Sequence, residues 1–236
     1  MLPCTGPSAP AVTEWKCRSA EVRRPKSSAR KAYDRLSHVY DLLASSSETQ
    51  FIHLGLEMLA ISPGEPVLEI GCGTGNALEE LSYMAGDSGL VCGLDLSPGM
   101  LRVAASKLGK IHIRRRAILL CGDGAELPYS SGSFTSLFMS FTLELFDTPM
   151  IPMVLAECWR VLKPGGRLGV VAMFKSNRTS WNIRLYEWVH EHFPTYVDCR
   201  PIDARAVIQA AGFSINNQVI KSMWGLPVAL IGAMKE

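Results

Sequence analysis

Glu69 stands two residues ahead of three glycines at alternate positions, Gly71-Cys72-Gly73-Thr74-Gly75. The apolar residues Val67, Leu68 and Ile70 lead into this run, and Ala77-Leu78-Glu79-Glu80-Leu81 follows it as the first turns of a helix. A strand that passes through a glycine-rich turn into a helix lets the backbone approach a ligand without side-chain interference. It also presents the unpaired amides and the positive dipole end of the helix. Such a turn holds nucleotide-like cofactors. The dinucleotide fingerprint needs G-x-G-x-x-G, but its third glycine position falls here on Asn76, and the pattern is G-x-G-x-G. The carboxylate of Glu69 at the strand end would repel a pyrophosphate and attract an ammonium group. S-adenosylmethionine (SAM), with an ammonium, a carboxylate and a sulfonium, is a ligand of that kind.

Further acids follow at matching places. Leu90-Val91-Cys92-Gly93-Leu94-Asp95 reads as the next strand, and Asp95 lies 20 residues after Gly75, near the spacing of an acid that binds ribose hydroxyls. Its two oxygens can accept from both hydroxyls. Leu96-Ser97-Pro98-Gly99-Met100 opens a helix with Ser97 as N-cap and Pro98 in the first turn; Leu96 and Met100 are placed to pack on an adenine ring. After Ala117-Ile118-Leu119-Leu120 comes Cys121-Gly122-Asp123-Gly124. Asp123 there can accept from the adenine amino group while the Gly124 backbone donates to a ring nitrogen, although Gly-Asp-Gly is also a common turn sequence. The central strand Ser133–Ser140 ends at a small residue, and Cys158–Leu168 reads as a helix end, a Pro-Gly-Gly turn and another apolar strand.

The elements that must position these residues alternate regularly. Strands are predicted at 66–71, 90–95, 116–121, 133–140 and 166–174, with helices at 76–85, 98–107 and 148–162 between them. Helices over 29–45 and 49–61 precede them; a helix at 203–212 with Gly212 as C-cap, and strands at 214–221 and 227–233, follow. Alternation of this kind implies an α/β fold with a mostly parallel sheet covered on both faces. Ligands of open sheets bind outside the carboxyl ends of the strands, where the strand order reverses. Glu69, Gly71, Asp95, Asp123 and Ser140 are all predicted at those ends.

Taken in order, these markers resemble class I SAM-dependent methyltransferases, most closely the methyltransferase-type-11 group that includes the ubiquinone/menaquinone-biosynthesis C-methyltransferases. The resemblance covers about residues 31–175. It implies a Rossmann-like three-layer αβα sandwich on a seven-stranded sheet of order 3-2-1-4-5-7-6, the last strand antiparallel. It implies SAM as cofactor, with Glu69, Gly71, Cys72, Gly73, Thr74, Gly75, Asp95, Leu96, Met100, Asp123, Gly124 and Ser140 in its site. It also implies that Tyr33 and Tyr40, seven residues apart in the leading helix, cover the methionine end.

Composition bounds the rest. The chain has 236 residues, 47% of them hydrophobic, with a net charge of +2. That suits one α/β domain over residues 31–236 and gives nucleic-acid binding no global electrostatic support. Seven cysteines without a C-x-x-C pair fit a reducing, cytoplasmic setting and argue against a disulfide scaffold or a zinc site; no metal is expected. No run approaches the roughly 18 apolar residues of a membrane span. Residues 1–30 are basic and rich in Pro and Ser. They read as a flexible leader, with a composition that also fits an organelle transit peptide or weak contact with a membrane surface. Oligomeric state is not legible.

The motifs name a cofactor site and no catalytic residue. Methyl transfer from SAM is an in-line displacement for which the protein supplies alignment and water exclusion. The apolar run Phe141–Phe146 beside the reaction centre suggests a greasy, quinol-like small-molecule acceptor. Residues 176–200, aromatic-rich and outside the alternating rhythm, read as an acceptor-site insertion. A phenolic acceptor would gain from a base, for which His190, Glu144 and Tyr186 are candidates by position. The alternatives are a small-molecule or lipid N-, O- or S-methyltransferase outside quinone synthesis, or a non-catalytic SAM-binding scaffold.

Overall fold

The computed structural model describes residues 48–110, 117–175 and 201–236. Among them, helix α1 (residues 48–59) leads into β1 (Pro66–Ile70), α2 (Asn76–Ala85), β2 (Leu90–Asp95), α3 (Pro98–Lys110), β3 (Ala117–Cys121) and β4 (Phe134–Ser140). Two single-turn 3-10 segments (Leu143–Leu145 and Thr148–Met150) then precede α4 (Ile151–Val161), β5 (Leu162–Met173), α5 (Ala204–Ala210), β6 (Ser214–Met223) and β7 (Leu226–Met234). All seven strands form one sheet in the order β3-β2-β1-β4-β5-β7-β6. The first five are parallel, and β7 runs antiparallel to both β5 and β6. This is the expected three-layer α/β sandwich.

The core follows from the period of two along each strand. Leu68, Ile70, Leu137, Met139, Val170 and Ala172 point to one face, where they pack with Val154, Leu155 and Cys158 of α4 and Ile208 of α5. Val67, Val91, Phe138 and Val171 point to the other, against Ile52, Leu56 and Leu59 of α1 and Leu78 and Leu81 of α2. Strands buried on both faces read as continuous apolar runs, which is how a parallel sheet covered by helices looks in sequence.

Local chemistry sets the element ends. Ser97 caps α3, accepting from the Met100 amide at 3.1 Å. Asp203 caps α5 in the same way, accepting from Ala206 N–H at 3.0 Å. Gly212 lies one residue beyond the cap residue of that helix, at φ +97°, the left-handed place for a terminating glycine. The start of β5 differs from expectation. Pairing of β5 begins at Leu162, opposite Phe134, and resumes at Arg167, opposite Ser136. The Pro164-Gly165-Gly166 turn is therefore an excursion within the strand, and both Gly165 N–H and Gly166 C=O bond to the backbone of Lys235.

Candidate cofactor site

At the carboxyl ends of β1 to β4 the chain encloses a cavity of about 1320 Å³, counting the part open to solvent. Glu69, Gly71, Cys72, Gly73, Thr74, Asp95, Leu96, Met100, Asp123, Gly124 and Ser140 all line it. Residues from the ends of β1, β2 and β4, from the loops after β1, β2 and β3, and from α3, scattered over 72 positions of sequence, thus meet in one place. Gly75 stands behind the lining as the N-cap of α2.

The glycine turn needs its glycines for two different reasons. Gly71 is at φ +71°, and a Cβ there would lie 2.3 Å from the Thr142 side chain. Gly73 is at φ +51° with no atom within 4 Å of where its Cβ would be. The first position is closed by the protein itself, whereas the second leaves bare backbone facing open space. Thr142 also stitches the turn to the loop after β4, donating to Ser140 O at 2.8 Å and lying 3.4 Å from Gly71 O. The Gly71 and Cys72 amides both reach Leu94 O, which ties the turn to β2.

Three acids anchored on β1, β2 and the loop after β3 differ in how they are held. Glu69 is 2% exposed, and its Oε2 is buried with no hydrogen-bond partner among the described residues. Burial, and then the charge of Asp95, hold its carboxyl well above the usual carboxylate range. A buried carboxyl with an empty oxygen is costly unless a donor or a cation completes it. Asp95 is already oriented: Oδ2 accepts from Gly73 N–H and Oδ1 from Ser97 N–H, both at 2.8 Å. Each oxygen keeps acceptor capacity after that bond. Asp123 Oδ1 accepts from Ala125 N–H at 3.0 Å, so it caps its turn as well as lining the cavity. Burial raises the Cys72 thiol, with Glu69 and Asp95 adding to the effect, so Cys72 stays a thiol and lines the cavity as an inert group.

Lining residues not named as site residues from the sequence include Glu48, Phe141, Thr142 and Asp147. Phe141 is a non-glycine residue at φ +48°, buried, with its ring edge-to-face against Phe51 of α1 at 6.4 Å. Glu48 opens the described part of α1, and burial pushes its carboxyl up to about 7. No motif marks Glu48 or Asp147, while Phe141 and Thr142 belong to the apolar run after β4. Counting Glu48, Glu69, Asp95, Asp123 and Asp147, five carboxyl groups line the cavity, and no Lys, Arg or His does so among the described residues.

Glu144 is placed elsewhere. It is 1% exposed and outside the cavity lining, and its Oε1 accepts the Met173 amide at 2.9 Å. It braces the loop after β4 against the end of β5. The loop after β3 has its own brace from α4. Arg160 donates to Tyr129 O at 2.7 Å and Leu127 O at 2.9 Å, and Glu157 accepts from Leu127 N–H at 2.8 Å while pairing with Arg160. Tyr33, Tyr40, Tyr186 and His190, together with the leader and the 176–200 insertion, lie outside the described residues. No helix among the described residues is long and apolar enough to cross a membrane.

Comparison with known proteins agrees with this geometry. Residues 67–166 match the family model described as a methyltransferase domain. The chain is 41% identical over 105 residues to a demethylmenaquinone methyltransferase of Lactococcus lactis, covering 44% of this chain and 40% of the relative. It is 31% identical over 138 residues to nocamycin O-methyltransferase of Saccharothrix syringae, covering 58% of this chain and 48% of the relative. The chain thus spans about half the length, or less, of these two curated relatives. Among solved structures, a SAM-dependent methyltransferase from Aquifex aeolicus superimposes with a TM-score of 0.63 at 20% identity, over 85% of this chain and 98% of that one.

Proposed function

We propose, on the premise that this chain carries a class I SAM-dependent methyltransferase domain, that it transfers the methyl group of SAM to an uncharged, largely apolar small molecule such as a quinol. One observation carries the reading. A fully buried carboxyl, Glu69, keeps an oxygen without a partner beside a glycine turn, in a cavity lined by carboxyl groups and no described cation. A cationic ligand completes that oxygen, whereas a diphosphate would be repelled by it.

In this reading Glu69 accepts from the ammonium of the methionine part, and Thr74 bonds its carboxylate. The two Asp95 oxygens, pre-set by Gly73 and Ser97, accept from the ribose hydroxyls. Asp123 and the Gly124 amide read the adenine edge, with Leu96 and Met100 against its face. Gly71, Cys72, Gly75 and Ser140 shape the floor, and Tyr33 and Tyr40 cover the methionine end. SAM supplies an already activated methyl group on a sulfonium, displaced in line by the acceptor. The chain's task is to align that approach and to exclude water.

The acceptor side is the apolar part of the lining, Ile52, Phe141, Leu145, Phe146 and Met150. With Glu48 and Asp147 also in the lining and no described cation, an anionic acceptor would be disfavoured. The relatives, a demethylmenaquinone methyltransferase and nocamycin O-methyltransferase, support a quinone-like small-molecule acceptor. Glu48, titrating at about 7, is a described lining residue suited to take a phenolic proton. His190 and Tyr186 share that role as candidates.

Incubation of the protein with SAM labelled in its methyl group and fractionated lipid extracts tests the proposal. Label is expected in neutral, extractable products. SAM binding with no transfer to any fraction would replace the enzyme with a SAM-binding scaffold. Transfer confined to acidic acceptors would overturn the reading of the cavity.

A further inference from the structure

The β6–β7 hairpin turns at an exposed tryptophan, between Met223 and Leu226, which are buried in the core. Met223 pairs with Leu226, so the connection is the two residues Trp224-Gly225. Both are at positive φ, 53° and 83°, as in the tight hairpin turns that ordinarily take Asn-Gly. A bulky aromatic is among the worst residues for a left-handed conformation. Trp224 is nonetheless there, 69% exposed, and gains little packing in return.

Further back on β6 two more apolar side chains are exposed, separated from Trp224 by exposed Lys221 and Ser222 and buried Met223. Val219 is 38% exposed and Ile220 50%. As neighbours in one strand they point to opposite faces, so β6 behind the turn shows apolar side chains on both sides rather than on one flat side. A protein partner or a second copy would cover one face, or would extend the free edge of β6. That edge is poorly suited to pairing. Its register shifts between Ile215 and Asn217, and Lys221 is exposed near the tip. Bulges and lysines are the devices by which edge strands resist addition. An exposed tryptophan at a hairpin turn, with a lysine close behind it and apolar side chains further back, suits a lipid–water interface.

Charge agrees. Residues 214–234 contain no acid and one base, Lys221. Lys175, also exposed, lies near the tip end of the hairpin, where Phe174 N–H donates to Pro227 O at 2.9 Å. The direction of the sheet places this tip at the cavity's end of the molecule. Ser140, in the cavity lining, lies opposite Val171, and two residues further along β5 Met173 lies opposite Val228, the third residue of β7. We infer that the Trp224 hairpin tip docks the protein on an anionic lipid surface, with the cofactor cavity at the membrane-facing end.

Flotation of the whole chain with vesicles tests this without reference to SAM or to any acceptor. The wild type is expected to float with vesicles of phosphatidylcholine and phosphatidylglycerol. Trp224→Asn should lower the bound fraction at least about fivefold by removing the interfacial aromatic. Its melting temperature should stay level or rise, because Asn tolerates positive φ better than Trp. Lys221→Glu should weaken binding to the anionic vesicles. The inference is overturned if the wild type does not float. It is overturned if Trp224→Asn floats like the wild type, which would assign binding to the basic residues 1–31. It is also overturned if Trp224→Asn changes the oligomeric state in gel filtration, which would assign the tip to a second copy.

Discussion

The Gly73 amide donates to Asp95 Oδ2 at 2.8 Å, so the glycine turn after β1 and the acid ending β2 hold each other in place. Ser97 N–H secures the other oxygen at the same distance. Asp95 is therefore fixed before any ligand arrives, and its removal frees two amides as well as deleting two acceptors. Asp95→Ala is expected to weaken SAM binding by at least about tenfold and to lower stability by about 1–3 kcal/mol. Asp95→Asn keeps one acceptor oxygen and should lie between the two. Calorimetric titration and thermal melts check both effects.

Glu69 gives a pH signature. Its carboxyl is raised well above 4.5 in the folded chain by burial, with Asp95 adding to it. Between 4.5 and that raised value the unfolded chain has lost the proton and the folded chain keeps it. The unfolded state then binds fewer protons, and stability falls as pH rises through this window. Glu69→Gln removes the titration. Its melting temperature should match the wild type in acid and exceed it increasingly towards alkaline pH, a gain in stability at the expense of the site. SAM affinity of the wild type should tighten as pH rises through the same window, because an ammonium pairs with the ionised form, and Glu69→Gln should lack that dependence.

The two turn glycines separate packing from conformation. Gly71→Ala drives a Cβ to 2.3 Å from Thr142 at an unfavourable φ and should cost about 2–4 kcal/mol. Gly73→Ala meets nothing within 4 Å and should cost only the left-handed strain, about 1–2 kcal/mol. Its added methyl group faces the cavity, so its loss of SAM affinity should exceed what its small loss of stability explains. Denaturant melts beside binding curves separate the two effects.

The Arg160 brace acts at a distance from the ligand. Its bonds to the carbonyls of Leu127 and Tyr129 hold the loop that carries Asp123 and Gly124. Arg160→Ala is expected to lose about 2 kcal/mol of stability and to speed hydrogen exchange over residues 122–133 while leaving the β1 turn protected. SAM should bind more weakly, with the loss concentrated in contacts to the adenine end. An adenine-lacking fragment such as methionine would bind unchanged.

Much of this architecture was legible in the sequence because it rests on local rules. The strand–turn–helix at Glu69, the Ser97 cap and the acid at Asp95 each follow from spacing, and all are found where expected. The strand order came with the family resemblance. What was hidden depends on contacts far apart in the chain. Thr142 matters because Gly71, 71 residues away, leaves no room for a Cβ. Glu144 stood out as a polar residue in an apolar run and suggested a base; that its Oε1 accepts an amide of β5, 29 residues away, is a contact no local pattern marks. Glu48 has no motif and gains its character from burial alone. The Pro164-Gly165-Gly166 turn was read correctly as a turn, but the strand pairing on its near side depends on Phe134.

Calorimetric titration of SAM into the wild type and Glu69→Gln at neutral pH tests the central claim most directly. The expected result is binding at one site in the wild type and at least about tenfold weaker binding in the variant, since a buried carboxyl and its ammonium partner are uncoupled. Equal affinity in the two proteins would contradict it, as would a cavity that takes up a dinucleotide such as NAD in preference to SAM.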